Sequence, residues 1–203
     1  MRLLITLLTA ILFTGFVSAQ HSSSPAGHVN LGIKGGLNAY TIHADDGSKY
    51  DPRIGFNIGL LGHIHLGHHF AIQPEILYSA QGAKYTAGSE TTRYNLDYIN
   101  VPVLFQYMFD KGFRIQAGPQ VGFLASAKYI DNQGTTDQKN YIKPIDWAVS
   151  LGMSYIFPPT GLGIDARFNM GLTNIDKNTT AVSTNRGFQL GLFYIFGYNH
   201  LIN

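Results

Sequence analysis

Apolar and polar residues alternate with a period of two through almost the whole chain after residue 28. From Ile145 to Tyr155 every second residue is apolar, and the residues between them are Asp, Ala, Ser, Gly and Ser. Such alternation is typical of β-strands with two different faces, because successive side chains point to opposite sides. No stretch keeps a helical period. The pattern predicts eight strands, within residues 29–37, 54–60, 70–79, 94–109, 113–121, 145–157, 162–172 and 188–196.

Short and long connections between these strands alternate strictly, as in outer-membrane barrels with short periplasmic turns, long external loops and an even strand number. We therefore predict an all-β, eight-stranded antiparallel up-and-down transmembrane β-barrel with both termini in the periplasm. In the fourth stretch the phase slips near Asn100 to Pro102, where a β-bulge would also accommodate the proline. The predicted short turns are 66–69, 110–112 and 158–161, and the long loops are 40–52, 84–93, 128–144 and 176–185.

Aromatic residues cluster at both ends of the predicted strands, as expected where a protein crosses two membrane interfaces. General enrichment of aromatics in strands explains their number but not this clustering. At the long-loop ends lie Tyr40, Tyr50, Tyr78, Tyr94, Tyr98 and Trp147. The predicted girdle at the short-turn ends comprises Phe70, Tyr107, Phe109, Phe113, Tyr155, Phe157, Tyr194 and Phe196.

Charge separates a membrane barrel from a soluble one. Only 13% of residues are charged, whereas the outer face of a soluble, lipocalin-like barrel is about 25–35% charged. Here the face opposite the apolar stripe holds Gly, Asn, Gln and Ser, which suit a narrow polar lumen. The net charge of +2, with no run of basic residues, argues against nucleic acid as a partner. The absence of Cys excludes disulfides and attachment of lipid through Cys.

The N-terminal segment has the features of a secretory signal peptide. Arg2 precedes an apolar run from Leu3 to Phe16, and Val17-Ser18-Ala19 completes a site for cleavage before Gln20. We predict a signal peptide over residues 1–19, a short leader over 20–27, the barrel over 28–197 and a C-terminal tail over 198–203.

The mature sequence resembles the PorT-type outer-membrane β-barrels typical of Bacteroidota. The resemblance covers nearly all of the mature chain and implies an eight-stranded outer-membrane barrel with no established catalytic residues. Some members of that family are linked to protein secretion or gliding machinery. This sequence continues past Phe196, where barrels of this kind often end. The matching stretches are LGIKGGLNAY (31–40), IQPEILYSAQGAKY (72–85), LDYINVPVLFQY (96–107), FRIQAGPQVGFL (113–124), GIDARFNMGLTNI (163–175) and GFQLGLFYIF (187–196).

Charged residues on the polar face would lie inside the barrel, where a buried charge must be paired and hydrogen-bonded. We expect Glu75 and Asp165 to meet Arg167, together with Lys34 or Arg114. Such a network could form an ion or proton path or a gate, or it could be a plug that locks the barrel and excludes water. A plug is favoured, because an eight-stranded barrel is only wide enough for its own side chains. The predicted lumen network is Lys34, Glu75, Arg114, Asp146, Asp165 and Arg167.

The histidines between residues 62 and 69 are the one feature that suggests metal chemistry. His63 and His65 share a strand face and could chelate zinc or copper. No carboxylate lies close in sequence to complete a ligand set, so we predict polar residues at the periplasmic rim and no bound metal or other cofactor.

Signals for catalysis are weak. His43, Asp45, Asp46 and Ser48 share the first long loop, a composition too common to indicate a catalytic triad. The sequence contains neither GxSxG nor HExxH. We predict that the protein is not an enzyme.

The predicted function is structural or interactive: a barrel of the cell outer membrane that either stabilises the membrane or serves as an accessory of a secretion or surface complex. Its partners would be the lipid bilayer and a protein bound at the external loops or the periplasmic rim. The alternative is a small pore or a barrel that transports a hydrophobic ligand. The sequence does not indicate the oligomeric state.

Overall fold

The computed structural model describes residues 29–87, 90–177 and 182–198. Across these ranges the chain forms nine β-strands and a single 3₁₀ turn at Asp110–Gly112. The strands are β1 (Val29–Ala44), β2 (Asp51–His65), β3 (Phe70–Ala87), β4 (Glu90–Met108), β5 (Phe113–Asp131), β6 (Gly134–Asp137), β7 (Ile145–Ile156), β8 (Leu162–Gly171) and β9 (Ser183–Ile195).

Eight of the nine strands close into a ring, which confirms the predicted barrel. Each ring strand pairs antiparallel with its neighbour along the chain, and β5 pairs directly with β7 because β6 lies outside the ring. The ring closes between β1 and β9, where Ile33 pairs with Tyr194 and Ala39 with Phe188. Closure removes the free sheet edges that a bilayer does not tolerate.

The strands on one side of the ring rise well above the others at the long-loop end. The segment predicted as the long loop 84–93 is instead mostly strand, since the β3–β4 ladder continues from Lys84 opposite Arg93 to Ala87 opposite Glu90. Strand β6 lies within the predicted loop 128–144 and pairs with the end of β5. We call the projecting ends of these strands the external wall. It comprises Lys84–Ala87 of β3, Glu90–Tyr94 of β4 and Lys128–Asp131 of β5.

The bulge predicted near Asn100 to Pro102 is displaced from that position. The register shift between β4 and β5 falls between Asp97 and Tyr98. The phase of β4 does not slip, because even-numbered residues from Leu96 to Met108 are buried without interruption. The slip in the sequence pattern arises because Leu96, Leu104 and Met108 are apolar residues that face the lumen.

The two faces of the barrel wall have opposite character. Outward side chains are apolar and exposed; Leu37, Ile58 and Leu190 expose 63%, 60% and 64% of their surface. Inward side chains are mostly polar and buried. This inverted arrangement suits a wall whose outer solvent is lipid.

All eight girdle residues predicted at the short-turn end lie there, on or beside the strand ends. Their rings form contacts along that rim, with centroid distances of 4.8 Å between Tyr107 and Phe109 and 5.3 Å between Tyr194 and Phe196.

At the long-loop end the predicted membrane-interface position was wrong for Tyr40 and Tyr98, each only 1% exposed. Both face the lumen, where the phenol of Tyr40 accepts a hydrogen bond from Asn169 Nδ2 at 2.7 Å.

The lumen is filled in layers. An external cap and a periplasmic cap, both apolar, enclose a middle of amides, hydroxyls and charges. In the middle, Asn38 Nδ2 donates to Ser79 Oγ at 2.9 Å and Asn57 Nδ2 donates to Asn38 Oδ1 at 2.6 Å. The external cap consists of Leu96, Tyr98, Leu124, Ala127 and Ile175. The periplasmic cap consists of Leu61, Ile156, Phe193 and Ile195, with Tyr198 packed against them.

Three predicted segments lie wholly or largely outside the described residues: the signal peptide at 1–19, the leader at 20–27 and the tail at 198–203, of which only Tyr198 is described. None of the helical structure in the described ranges is long and apolar enough to cross a membrane.

Candidate functional site

Four of the six predicted lumen charges meet in one layer at the middle of the barrel. Arg167 Nη1 and Nη2 each donate to a different oxygen of Glu75, both at 2.9 Å. Lys34 Nζ lies 2.5 Å from Asp165 Oδ1 and 3.6 Å from Glu75 Oε1. Arg167 Nη2 also lies 3.5 Å from Asp165 Oδ2. We call Lys34, Glu75, Asp165 and Arg167 the charge quartet.

The quartet joins strands that are not neighbours. Lys34 lies on β1, Glu75 on β3, and Asp165 and Arg167 lie two residues apart on β8. Their side chains therefore cross the lumen, and every one of them is 0–1% exposed. Two cations oppose two anions, so the layer carries no formal net charge. Balance of this kind is needed because one unpaired ion in the interior costs several kcal/mol, on the order of 3–5 when a partner is removed.

Glycines beside the quartet give its long side chains room to cross the lumen. In the strand ladders Lys34 is paired with Gly59, Asp165 with Gly191 and Arg167 with Gly152. A Cβ at Gly152 would lie 3.2 Å from Nε2 of Gln116, which donates to Asp165, so a side chain there would crowd the groups around the charge quartet. Small residues next to large charged ones explain why a chain rich in Gly can hold ion pairs inside so narrow a barrel.

Three glutamines complete the charge quartet, and nothing in the sequence pattern distinguishes them from the other inward polar residues. Gln73 Nε2 donates to Glu75 Oε1 at 2.7 Å, and Gln116 Nε2 donates to Asp165 Oδ2. Gln106 Nε2 in turn donates to Gln116 Oε1 at 2.8 Å. The sequence did place them at inward positions of the period-two pattern in β3, β4 and β5.

Arg114 and Asp146 do not join the quartet, contrary to the prediction. Arg114 lies at the periplasmic end, where its Nη2 is 3.4 Å from the Tyr198 hydroxyl and its guanidinium is 5.8 Å from the centre of that ring. Asp146 lies at the external end and accepts a hydrogen bond from Asn185 Nδ2 at 2.8 Å. Both face the lumen as predicted, but at heights too far from the quartet for contact.

The histidines do not assemble a metal site. The rings of His63 and His65 contact each other edge to face at 4.5 Å, and His63 is fully buried. His68 and His69 are exposed in the turn between β2 and β3. Across the ranges 29–87, 90–177 and 182–198, no three His, Asp or Glu side chains are arranged to hold a metal ion.

Of the four residues predicted to share the first long loop, His43 lies in β1 and pairs with Thr184, whereas Asp45, Asp46 and Ser48 follow the strand. The two acidic residues have structural roles. Asp46 Oδ1 accepts a hydrogen bond from the backbone N–H of Ser48 at 2.9 Å, which closes a tight turn. Asp45 donates its backbone N–H to the carbonyl of Val182 at 3.1 Å, which ties this loop to the start of β9.

A lipid-facing apolar wall closed around a charge-balanced, side-chain-filled lumen defines an outer-membrane β-barrel protein. The chain belongs to the family described as the outer membrane protein beta-barrel domain, which matches residues 18–177. The protein is therefore placed in the cell outer membrane, embedded in its lipid bilayer. None of the curated proteins compared with the chain matches it.

Solved structures share this fold. Ail, the attachment invasion locus protein of Yersinia pestis, is 16% identical with a TM-score of 0.54; the match covers 84% of this chain and 99% of Ail. Neisserial surface protein A is 12% identical with a TM-score of 0.55, over 82% of this chain and 98% of that protein. At these identities the likeness extends to the fold alone.

Proposed function

We propose that this protein is a non-conducting, non-catalytic barrel that acts through the surfaces it presents outside the membrane, as an accessory of a secretion or surface complex. The proposal includes export by the predicted signal peptide and membership of the PorT-type group. Its support comes from the closed lumen, from the projecting external wall and from the sequence resemblance to barrels linked to secretion and gliding.

The buried charge quartet is the observation that carries the non-conducting assignment. Its four side chains are 0–1% exposed, so there is no space for water beside them. A continuous aqueous path through this layer would leave these side chains in contact with water. Ions would have to displace four mutually paired charges in order to pass.

Both ends of the lumen add to this barrier. At the external end, Ile42 and Ile142 pack against the external cap, and the loop that carries Ile142 is held by a bond from Lys143 N to the carbonyl of Ile175 at 2.8 Å. At the periplasmic end Tyr198 packs across the periplasmic cap. Two shallow grooves on the described surface lie instead on the lipid-facing wall.

Single-channel recording tests this assignment directly. Purified protein in a planar bilayer should show no stable conductance step, whereas a general porin in the same membrane should show steps. A reproducible step from the wild-type barrel would favour the pore alternative and overturn the proposal. Uptake of a fluorescent fatty acid into vesicles, absent with this protein and present with a transport barrel, tests the hydrophobic-ligand alternative in the same way.

Co-purification from native membranes tests the accessory role. Cross-linking before solubilisation should recover defined protein partners with the wild-type barrel. A variant in which residues 131–138, around β6, are replaced by a short Gly/Ser turn should recover less of them. Recovery of the barrel alone in both preparations would contradict the accessory role.

A further inference from the structure

The external wall has two chemically different faces. At its level each of three strands contributes a basic residue followed by a tyrosine: Lys84-Tyr85 on β3, Arg93-Tyr94 on β4 and Lys128-Tyr129 on β5. Adjacent residues on a strand point to opposite faces. Tyr85 and Tyr129 lie two residues after the buried lumen residues Ala83 and Ala127, and Tyr94 lies two residues before the buried lumen residue Leu96. The tyrosines therefore line the inner face, above the external cap, and the basic residues lie on the outer face.

Tyr50 joins these three rings from the loop before β2. Its ring centre lies 5.9 Å from that of Tyr85 and 5.9 Å from that of Tyr94. Tyr94 and Tyr129 are direct cross-strand partners with centroids 5.3 Å apart. Tyr85 is 44% exposed, and the other three are half-buried. We call Tyr50, Tyr85, Tyr94 and Tyr129 the tyrosine patch.

Carboxylates border the tyrosine patch. Burial raises the pKa of Tyr50, and the nearby carboxylates of Asp46 and, more weakly, Asp176 raise it further. The hydrogen bond from the Ser48 backbone lowers the pKa of Asp46, which is therefore ionised at neutral pH. The border combines negative charge with the electron-rich faces of aromatic rings, and both attract cations.

We propose that the tyrosine patch is a docking surface for a partner protein segment that presents an arginine or lysine side chain. This inference rests on the proposed function, since it assumes that the barrel acts through its external surface. The guanidinium or ammonium group would lie against the tyrosine rings, and the carboxylate of Asp46 would complement its charge. Exposed Lys49, next to Tyr50 in the sequence, would compete with the incoming cation.

The tyrosine patch has more rings, and more exposed ring surface, than stabilisation of the external wall requires. A cross-strand aromatic pair such as Tyr94 and Tyr129 adds stability to a ladder, but it needs neither Tyr50, contributed by another loop, nor a ring as exposed as Tyr85. Tyrosines with exposed area at the centre of a surface are typical of contacts with protein partners, because the rigid ring offers a large area at low entropy cost.

Peptide binding to the full barrel in nanodiscs of zwitterionic lipid tests the inference. The probe is a fluorescein-labelled peptide with four arginines separated by glycine and serine; the matched control replaces each arginine with glutamine. Only the arginine peptide should bind. Because each ring contributes a factor of roughly two to five, the Tyr50→Leu/Tyr94→Leu double variant should bind about tenfold more weakly. Tyr50→Phe/Tyr94→Phe, which keeps the rings, should bind nearly as well as wild type.

The two-faced external wall supplies a matched control. Lys84→Gln/Arg93→Gln/Lys128→Gln changes the outer face of the same three strands and should leave binding equal or slightly tighter, whereas Asp46→Asn should weaken it by about two- to fivefold. Equal binding of the two peptides, or an unchanged affinity in the double leucine variant, would overturn the inference. If the barrel shows no conductance step in the planar bilayer but also fails to bind the peptide, this inference alone is overturned. If the barrel conducts, the proposed function is overturned.

Discussion

The charge quartet and the two outlying charges, Arg114 and Asp146, are buried in the same lumen, but they differ in whether an opposite charge balances them. In the quartet each ion faces an opposite charge across the barrel, at distances of 2.5–3.6 Å. Arg114 and Asp146 are 2% and 7% exposed, and no ion pair to another described residue neutralises either one. Arg114 donates to the hydroxyl of Tyr198, and Asp146 accepts from the amide of Asn185. The middle of the lumen must be neutral by itself, whereas a group near a mouth is closer to water.

The largest expected effect is the loss of one partner from the charge quartet. Arg167→Met would leave Glu75 and Asp165 with Lys34 as the only cation of the layer. An uncompensated buried charge should lower the free energy of unfolding by about 3–5 kcal/mol. Guanidinium unfolding in lipid vesicles, followed by the fluorescence of the single tryptophan, Trp147, would measure this. Exposed Arg93→Met is the matched control and should change stability by less than about 0.5 kcal/mol. A loss as small as that control would show that the charge quartet is not energetically coupled.

Removal of a whole pair should cost less than removal of half of it. Glu75→Leu/Arg167→Met deletes one cation and one anion and leaves Lys34 with Asp165, 2.5 Å apart. Since apolar replacements of buried pairs are often neutral, the double variant should be more stable than Arg167→Met alone by about 2 kcal/mol. The same unfolding assay closes a double-mutant cycle. Additive losses from the two single changes would contradict the paired arrangement.

Comparison of the charge quartet with the outlying charges also shows what the sequence could predict. A period-two pattern assigns each residue to the inner or outer face, which is why all six charges were correctly expected to face the lumen. The pattern does not give the height of a residue along the barrel axis relative to residues on other strands. Whether Arg114 reaches Glu75 depends on the stagger of strands that are not neighbours, and no local pattern encodes this stagger.

A second limit explains the errors at the external rim, where two residues were assigned to the wrong face. Tyr40 and Tyr98 were expected beside the membrane because tyrosine at a strand end suits an interface. Both instead occupy inward positions of their strands, where Tyr40 bonds Asn169 and Tyr98 belongs to the external cap. The apolar lumen residues Leu96 and Leu104 likewise mimic a phase slip. A lumen that mixes polar and apolar layers weakens the rule that apolar residues face lipid.

An outlying cation should be far easier to remove than a quartet cation. Arg114→Met would delete a guanidinium whose contacts are a 3.4 Å approach to the Tyr198 hydroxyl and the ring of that residue. Because no buried carboxylate loses its partner, stability should change by less than about 1 kcal/mol. Arg167→Met in the same assay is the comparison. A loss of 3 kcal/mol or more from Arg114→Met would show that Arg114 neutralises an anion after all.

The smallest effect is expected at Asp146, where the charge can be removed without removing the hydrogen bond. Asp146→Asn keeps a carbonyl oxygen that can accept from Asn185 Nδ2, now at 2.8 Å, and keeps the shape of the side chain. It also removes a buried negative charge that no described cation balances, so stability should stay the same or rise by about 0.5–1 kcal/mol. Asp165→Asn is the matched control: the same change within the charge quartet deprives Lys34 of its nearest partner and should be clearly destabilising. If both variants lost stability equally, the charge at the mouth would be as dependent on pairing as the charge at the centre, and height in the lumen would not decide which ions need partners.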